Sequence, residues 1–188
     1  MSDTTNKRLL SFFREHPAVL VSALYVAASV VGMFYSWAYL RRFGINVFNY
    51  AQISDFLLAS LREPFTWVLV ILAIFLVHLD NRSSHRVERK NPRKWIAWYA
   101  SPRYRFINNF AAILMVLTFI FAYANRQANE TLAGTGKFVD VSFAETADPA
   151  TAILLGTTGQ FVFLYDAGAK RVNIHPIESI HTISFQAD

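Results

Sequence analysis

The chain has 188 residues, 54% hydrophobic and only 16% charged, with a formal net charge of +5 and no cysteine. Charged residues make up about a quarter of an ordinary soluble domain, and 17 Phe, 8 Tyr and 4 Trp are more apolar surface than one small soluble core hides. The composition therefore excludes a typical soluble domain, and the missing thiols exclude disulfides, thiolate catalysis and thiolate metal sites.

Residues 1–17 read as a short tail with an amphipathic fragment, LLSFFREH, and Pro17 suits the first turn of a helix. Residues 18–40 follow, AVLVSALYVAASVVGMFYSWAYL, with no charge. As a helix they are about 34 Å long, enough to cross a bilayer. Two more spans are expected at about 64–80, built on FTWVLVILAIFLVHL, and at 106–124, FINNFAAILMVLTFIFAYA. The second is short and relies on its flanks or a thin bilayer. The first run is too long for a signal peptide and no cleavage pattern follows it.

In the first span Ala18, Ser22, Ser29, Gly32 and Ser36 share a helical stripe, and in the third Asn108, Ala111 or Ala112, Met115, Thr118 and Ala122 do so. Small residues let helices approach closely in lipid, so Ser22, Ser29, Gly32, Ser36, Ala111 and Thr118 are expected to pack spans together, within one protomer or between copies.

Between the first two spans lies RFGINVFNYAQISDFLLASLREPF, too polar to cross and too apolar for a wet loop. Gly44 ends the helical run, Asn46 and Tyr50 lie in an alternating stretch, and Ser54 is placed to cap a short helix. With Asp55 and Arg62 on its polar side, segment 41–63 is expected to lie in the outer interface. A re-entrant half-helix facing a pore is the competing reading, the weaker one because such backbone must be buried in protein. Asp55 or Arg62 is expected to face the C-terminal domain.

The second connection, residues 81–105, is basic and aromatic. Arg93, Lys94, Trp95, Trp98, Arg103 and Arg105 suit contact with anionic lipid headgroups. Nucleic acid is the weaker reading of that run and is not expected as a partner. Eleven Lys and Arg lie in the tail and this connection, against seven in segment 41–63 and after the third span. The bias puts the N-terminus in the cytoplasm and the C-terminal region in the periplasm or outside the cell, in a multi-pass protein of the inner (plasma) membrane.

Residues 125–136 read as a polar linker. Residues 137–188 then alternate with period two: strands at 137–144, 150–157, 160–166, 170–176 and 181–185, with ETADP, TG and AGA as turns and IESI as one helical turn. The fold class expected is α+β: three transmembrane helices and an interfacial helix, then a small five-stranded β-barrel. The strand pattern resembles SH3-like and Sm-like barrels, an architectural likeness that implies no activity.

No nucleophile motif, phosphate loop or paired carboxylate appears, and His175 and His181 alone are spaced to meet. No catalytic, metal or cofactor residue is assigned. No ionisable residue lies in the middle of a span, which argues against a charge-coupled pump. The expectation is a non-enzymatic membrane scaffold or sensor subunit that presents a β domain and self-associates or meets a protein partner. A homo-oligomeric channel or membrane-permeabilising effector is the alternative, and a lipid-acting enzyme lacks its polar cluster.

Overall fold

A computed structural model describes residues 15–90, 101–143 and 146–185. Among these, four α-helices precede one five-stranded antiparallel sheet. Helix α1 is Pro17–Leu40, with Pro17 in its first turn, where a missing N–H leaves nothing unpaired. It tightens into a 3₁₀ turn at Arg41–Phe43 and stops at Gly44, whose φ of 76° is left-handed and favours glycine. A second 3₁₀ turn, Val47–Asn49, is capped by Asn46, whose Oδ1 accepts from Phe48 N at 3.3 Å.

Helix α2 is Ile53–Arg62. Its cap is Gln52 rather than the expected Ser54, because Asp55 at the third helical position accepts from Gln52 N at 2.7 Å and completes a capping box. Glu63 leaves helical geometry, and helix α3, Pro64–Lys90, departs at 84° to α2. Helix α4 is Pro102–Leu132, capped by Ser101, whose Oγ accepts from Tyr104 N at 3.2 Å. Eight residues expected in a linker, 125–132, belong to this helix. They are held by Arg126 on Glu130 (2.9 Å) and by Gln127 and Thr131 facing α1. Two helices, Pro17–Phe43 and Arg103–Leu132, are long and apolar enough to cross a membrane, while α2 and α3 pass that test only as a bent pair.

The helices pack on faces that differ in part from the expected stripes. Ala28, Ser29 and Gly32 are buried, but α2 covers the Gly32 position. A methyl there would overlap the carbonyl oxygen of Phe56 and stand 2.8 Å from Ser60 N. Helix α1 meets α4 one turn higher, through Tyr35, Ala38, Ile120 and Ala124. Ser22, Ala111 and Thr118 are exposed instead. The hydroxyls of Ser22 and Thr118 turn back to their own helices, on Ala18 O (2.9 Å) and Leu114 O (2.8 Å). Composition alone could not choose among small residues, because bulky Ile120 fits a space that Ala38 and Ala124 leave. Helices α3 and α4 run antiparallel, joined at one end by Tyr123 on Glu63 (3.4 Å) and at the other by Asn108 on Asp80 (3.1 Å).

The strands are β1 Phe138–Phe143, β2 Thr146–Thr157, β3 Phe161–Asp166, β4 Arg171–Pro176 and β5 Ile180–Phe185, in the order β4-β3-β2-β1-β5. Strand β2 starts earlier than expected, so most of ETADP is strand rather than turn. Pro149 falls where the pairing with β1 shifts register, so its missing N–H interrupts no ladder bond. The sheet is covered on both faces where β2 and β3 lie. Val139, Val141, Val162 and Leu164 form one core, and Ile153, Leu155, Phe163 and Tyr165 belong to another shared with α1 and α2. That explains the unbroken apolar run FVFLY in β3, which pure alternation does not.

The α1–α2 contact gives a first prediction. Gly32→Ala should destabilise the fold by about 1–3 kcal/mol, as overpacking does. Ser29→Ala should be neutral or stabilising, because Ser29 Oγ is buried with no hydrogen-bond partner. Unfolding of both variants in mixed detergent micelles checks the contrast, and equal losses would contradict the packing described.

Candidate functional site

The segment between α1 and α3 builds the platform on which the sheet sits. Leu40, Ile45, Val47 and Phe56 are buried against Ile153, Leu155, Phe163 and Tyr165 in one core. Three ring pairs fix the angle. Tyr50 stands edge-on to Phe161 (5.3 Å) and Phe163 (5.8 Å), and Phe43 edge-on to Tyr165 (5.5 Å). Each such pair is worth roughly 0.5–1.5 kcal/mol beyond its burial.

Two polar ties complete the docking. Asp55 Oδ2 caps α2, while its Oδ1 accepts from Gly159 N at 2.9 Å, in the turn between β2 and β3. One carboxylate thus joins a helix start to a hairpin. Arg62 Nη1 donates to Thr157 Oγ1 at 3.2 Å. The turn itself is closed by Thr158 N on Phe161 O (2.8 Å) and Phe161 N on Thr158 Oγ1 (3.0 Å).

Beneath the sheet, between α1, α2, the end of α4 and β2, lies a cavity of about 550 Å³. Ile153, Leu155 and Phe163 give it apolar walls, and Tyr35, Tyr39, Arg62, Glu63, Gln127 and Lys137 give it polar ones. A relay of hydrogen bonds runs along its helical side. Tyr35 Oη donates to Gln127 Oε1, Gln127 Nε2 donates to Tyr123 Oη at 2.8 Å, and Tyr123 Oη donates to Glu63 Oε2 at 3.4 Å. Every donor is oriented toward Glu63. Beside the relay, the hydroxyls of Tyr39 and Thr131 meet at 3.2 Å. Tyr35 and Tyr39 stack with centroids 6.1 Å apart, and Phe65 lies 4.6 Å from Tyr123.

Of the residues singled out from the sequence, Asp55 and Arg62 touch the sheet, Tyr50 packs under it, and Gly44 and Asn46 shape the turns leading there. Ser36 lines the cavity. Arg93, Lys94, Trp95 and Trp98 lie outside the described residues. Arg103 and Arg105 sit in the first turn of α4, with Arg103 exposed and Arg105 half-buried. The ring of His175 lies tilted against Phe143 at 4.5 Å, and no group of three metal-ligating side chains occurs among the described residues.

Sequence reasoning gave no site role to Tyr35, Tyr39, Tyr123, Gln127 or Lys137, and placed Glu63 only on the polar side of segment 41–63. A signal was present: Tyr35 and Tyr39, then Tyr123, Gln127 and Thr131, recur every four residues near the ends of apolar runs. That spacing lines polar tips along one face of each helix.

No protein-family model, characterised protein or solved structure matches this chain.

Asp55→Ala should release both amides it holds and cost about 1–3 kcal/mol. Hydrogen exchange at Gln52 N and Gly159 N should accelerate together in that variant. Acceleration at Gln52 alone would show that the sheet is not held through Asp55. Arg62→Ala, at an exposed site, should change stability by less than about 1 kcal/mol.

Proposed function

We propose that the protein is a multi-pass membrane scaffold or sensor subunit with a non-catalytic role, which carries its β domain rigidly on the outer face of the membrane. The observation that carries this reading is the shared core of Leu40, Ile45, Val47, Phe56, Ile153, Leu155, Phe163 and Tyr165. It makes the sheet continuous with the helices, so a load or ligand on the β domain is felt directly by α1 and α2. A domain tethered by a free linker would transmit nothing.

Three further parts of the reading have physical support. First, large apolar side chains are exposed along α1 (Val21, Leu24), α3 (Ile71, Ile74) and α4 (Phe106, Phe110), a surface that lipid covers at no cost and water does not. We take α3 as a third span. Its run from Phe65 to Leu79 covers about 22 Å and is bracketed by the Glu63–Tyr123 and Asp80–Asn108 contacts with α4. Second, Phe48, Ile53, Leu58 and Leu61 are exposed beside the platform, as an interfacial helix requires. Third, the pairing of β5 back onto β1, the 3₁₀ turn Ile177–Ser179 and the Phe143–His175 contact support a small SH3-like barrel.

Orientation follows the distribution of Lys and Arg, with the N-terminus cytoplasmic, the β domain periplasmic or extracellular, and anionic headgroups meeting Arg103 and Arg105. Self-association or a protein partner completes the scaffold role.

Single cysteines introduced into the thiol-free chain test the arrangement. Cysteine at Ser142 should react with a membrane-impermeant maleimide in intact cells, and cysteine at Ser101 only after permeabilisation. The reverse pattern would invert the topology. In nanodiscs, native mass spectrometry should show an oligomer or a retained partner protein, whereas a lone monomer would remove the scaffold reading. Conductance in planar bilayers would favour the channel reading instead.

A further inference from the structure

We propose that the cavity beneath the sheet binds a zwitterion carrying an ammonium and a phosphate, the group that a phosphoethanolamine headgroup presents. The proposal rests on the membrane-anchored reading only for the source of that group, which is a lipid or a free phosphoamine.

The volume of about 550 Å³ is that of a small-molecule site. Its charged lining is specific. The relay from Tyr35 through Gln127 and Tyr123 delivers a hydroxyl donor to the Glu63 side chain. Glu63 is half-buried, and among the described residues it forms no ion pair. Two neighbouring cations are engaged elsewhere: Arg126 pairs with Glu130 at 2.9 Å, and Arg42 donates to Asn129 at 2.7 Å. A cation beside this half-buried carboxylate would supply the counter-ion it lacks among the described residues.

The donor set selects the kind of cation. No group of three His, Cys, Asp or Glu able to hold a metal occurs among the described residues. Of the three carboxylates lining the cavity, Asp55 holds two backbone amides and Glu130 pairs with Arg126, so Glu63, beside the phenols of Tyr35 and Tyr39, is the one that offers acceptors and π-systems suited to an ammonium. The same cavity also presents Arg62 and Lys137, neither in an ion pair among the described residues. The guanidinium of Arg62 donates through Nη1 to Thr157 and keeps further N–H donors, in the fork geometry that suits phosphate. Both signs of charge therefore line one cavity unneutralised by each other. Ile153, Leu155 and Phe163 supply apolar wall beside them. A simple cation would leave Arg62 and Lys137 unanswered, and a simple anion would leave Glu63 so. A phosphate–ammonium zwitterion answers both.

The full chain in nanodiscs of phosphatidylethanolamine and phosphatidylglycerol, analysed by native mass spectrometry, tests the lipid source. Phosphatidylethanolamine should be retained selectively, and Glu63→Gln should reduce that selectivity roughly tenfold, as loss of a charge-assisted contact does. Lys137→Ala, at an exposed position, should weaken retention of both lipids alike. Titration of O-phosphoethanolamine into the detergent-solubilised chain, followed by calorimetry, tests the free source. Saturable binding lost in Glu63→Gln supports the site even if the chain fails to enter nanodiscs, an outcome that would overturn the membrane reading alone. Tyr123→Phe, which keeps the ring and the charge and removes one donor, should weaken binding in the same direction. It guards against a Glu63 variant that does not fold. Equal retention of the two lipids by wild type and Glu63→Gln, with no binding of free phosphoethanolamine, would overturn the proposal.

Discussion

The close approach of α1 and α2 at Gly32 is the constraint on which the rest of the structure depends. With no Cβ at Gly32, the backbone of α2 around Phe56 and Ser60 comes into contact with α1. Such close backbone contact adds dispersion attraction, which a larger side chain would prevent by holding the helices apart. Its consequences run outward along α2. Phe56 enters the core under the sheet, Asp55 meets the β2–β3 turn, and Arg62 and Glu63 reach the cavity. A bulkier residue at position 32 would shift all four groups together, because Asp55, Phe56 and Arg62 ride on one ten-residue helix and Glu63 directly follows it.

The sheet depends on this platform in turn. An isolated small sheet has one core, and here Val139, Val141, Val162 and Leu164 supply it. The other face of β2 and β3 is apolar too and would meet water if the domain were free. Covering it with residues 40–56 removes that cost and fixes the domain's angle through rings of limited freedom, Phe43 and Tyr50. Rigid coupling, rather than any single side chain, is what the proposed scaffold or sensor role draws upon.

Polar groups mark where the helices leave the apolar zone. The relay from Tyr35 to Glu63 ties α1, α4 and the α2–α3 corner, and the Tyr39–Thr131 contact continues it toward the sheet. Extending α4 to Leu132 is what places Gln127 and Thr131 opposite α1. Such hydrogen bonds are individually modest. Their value lies in directing several donors at one carboxylate, which gives the cavity its electrostatic character.

The sequence by itself determined the elements that rest on local physics. Long uncharged runs fixed α1 and α4 as helices able to cross a membrane, Pro17 and Pro64 began helices, Gly44 ended one, and alternation placed the five strands within a few residues. The platform role of Asp55 and Arg62 was also legible, since a polar pair on a short apolar helix has to face something. Tertiary structure alone decided which small residues pack within the protomer, because Gly32, Ala111 and Thr118 are equivalent until a neighbour's shape is known. It likewise decided that residues 125–132 continue a helix, since their partners Tyr35 and Tyr39 lie about ninety residues away in the chain. The cavity was invisible for the same reason. Tyr35, Glu63, Gln127 and Lys137 come from separate elements, and no local pattern records that folding turns them toward one another.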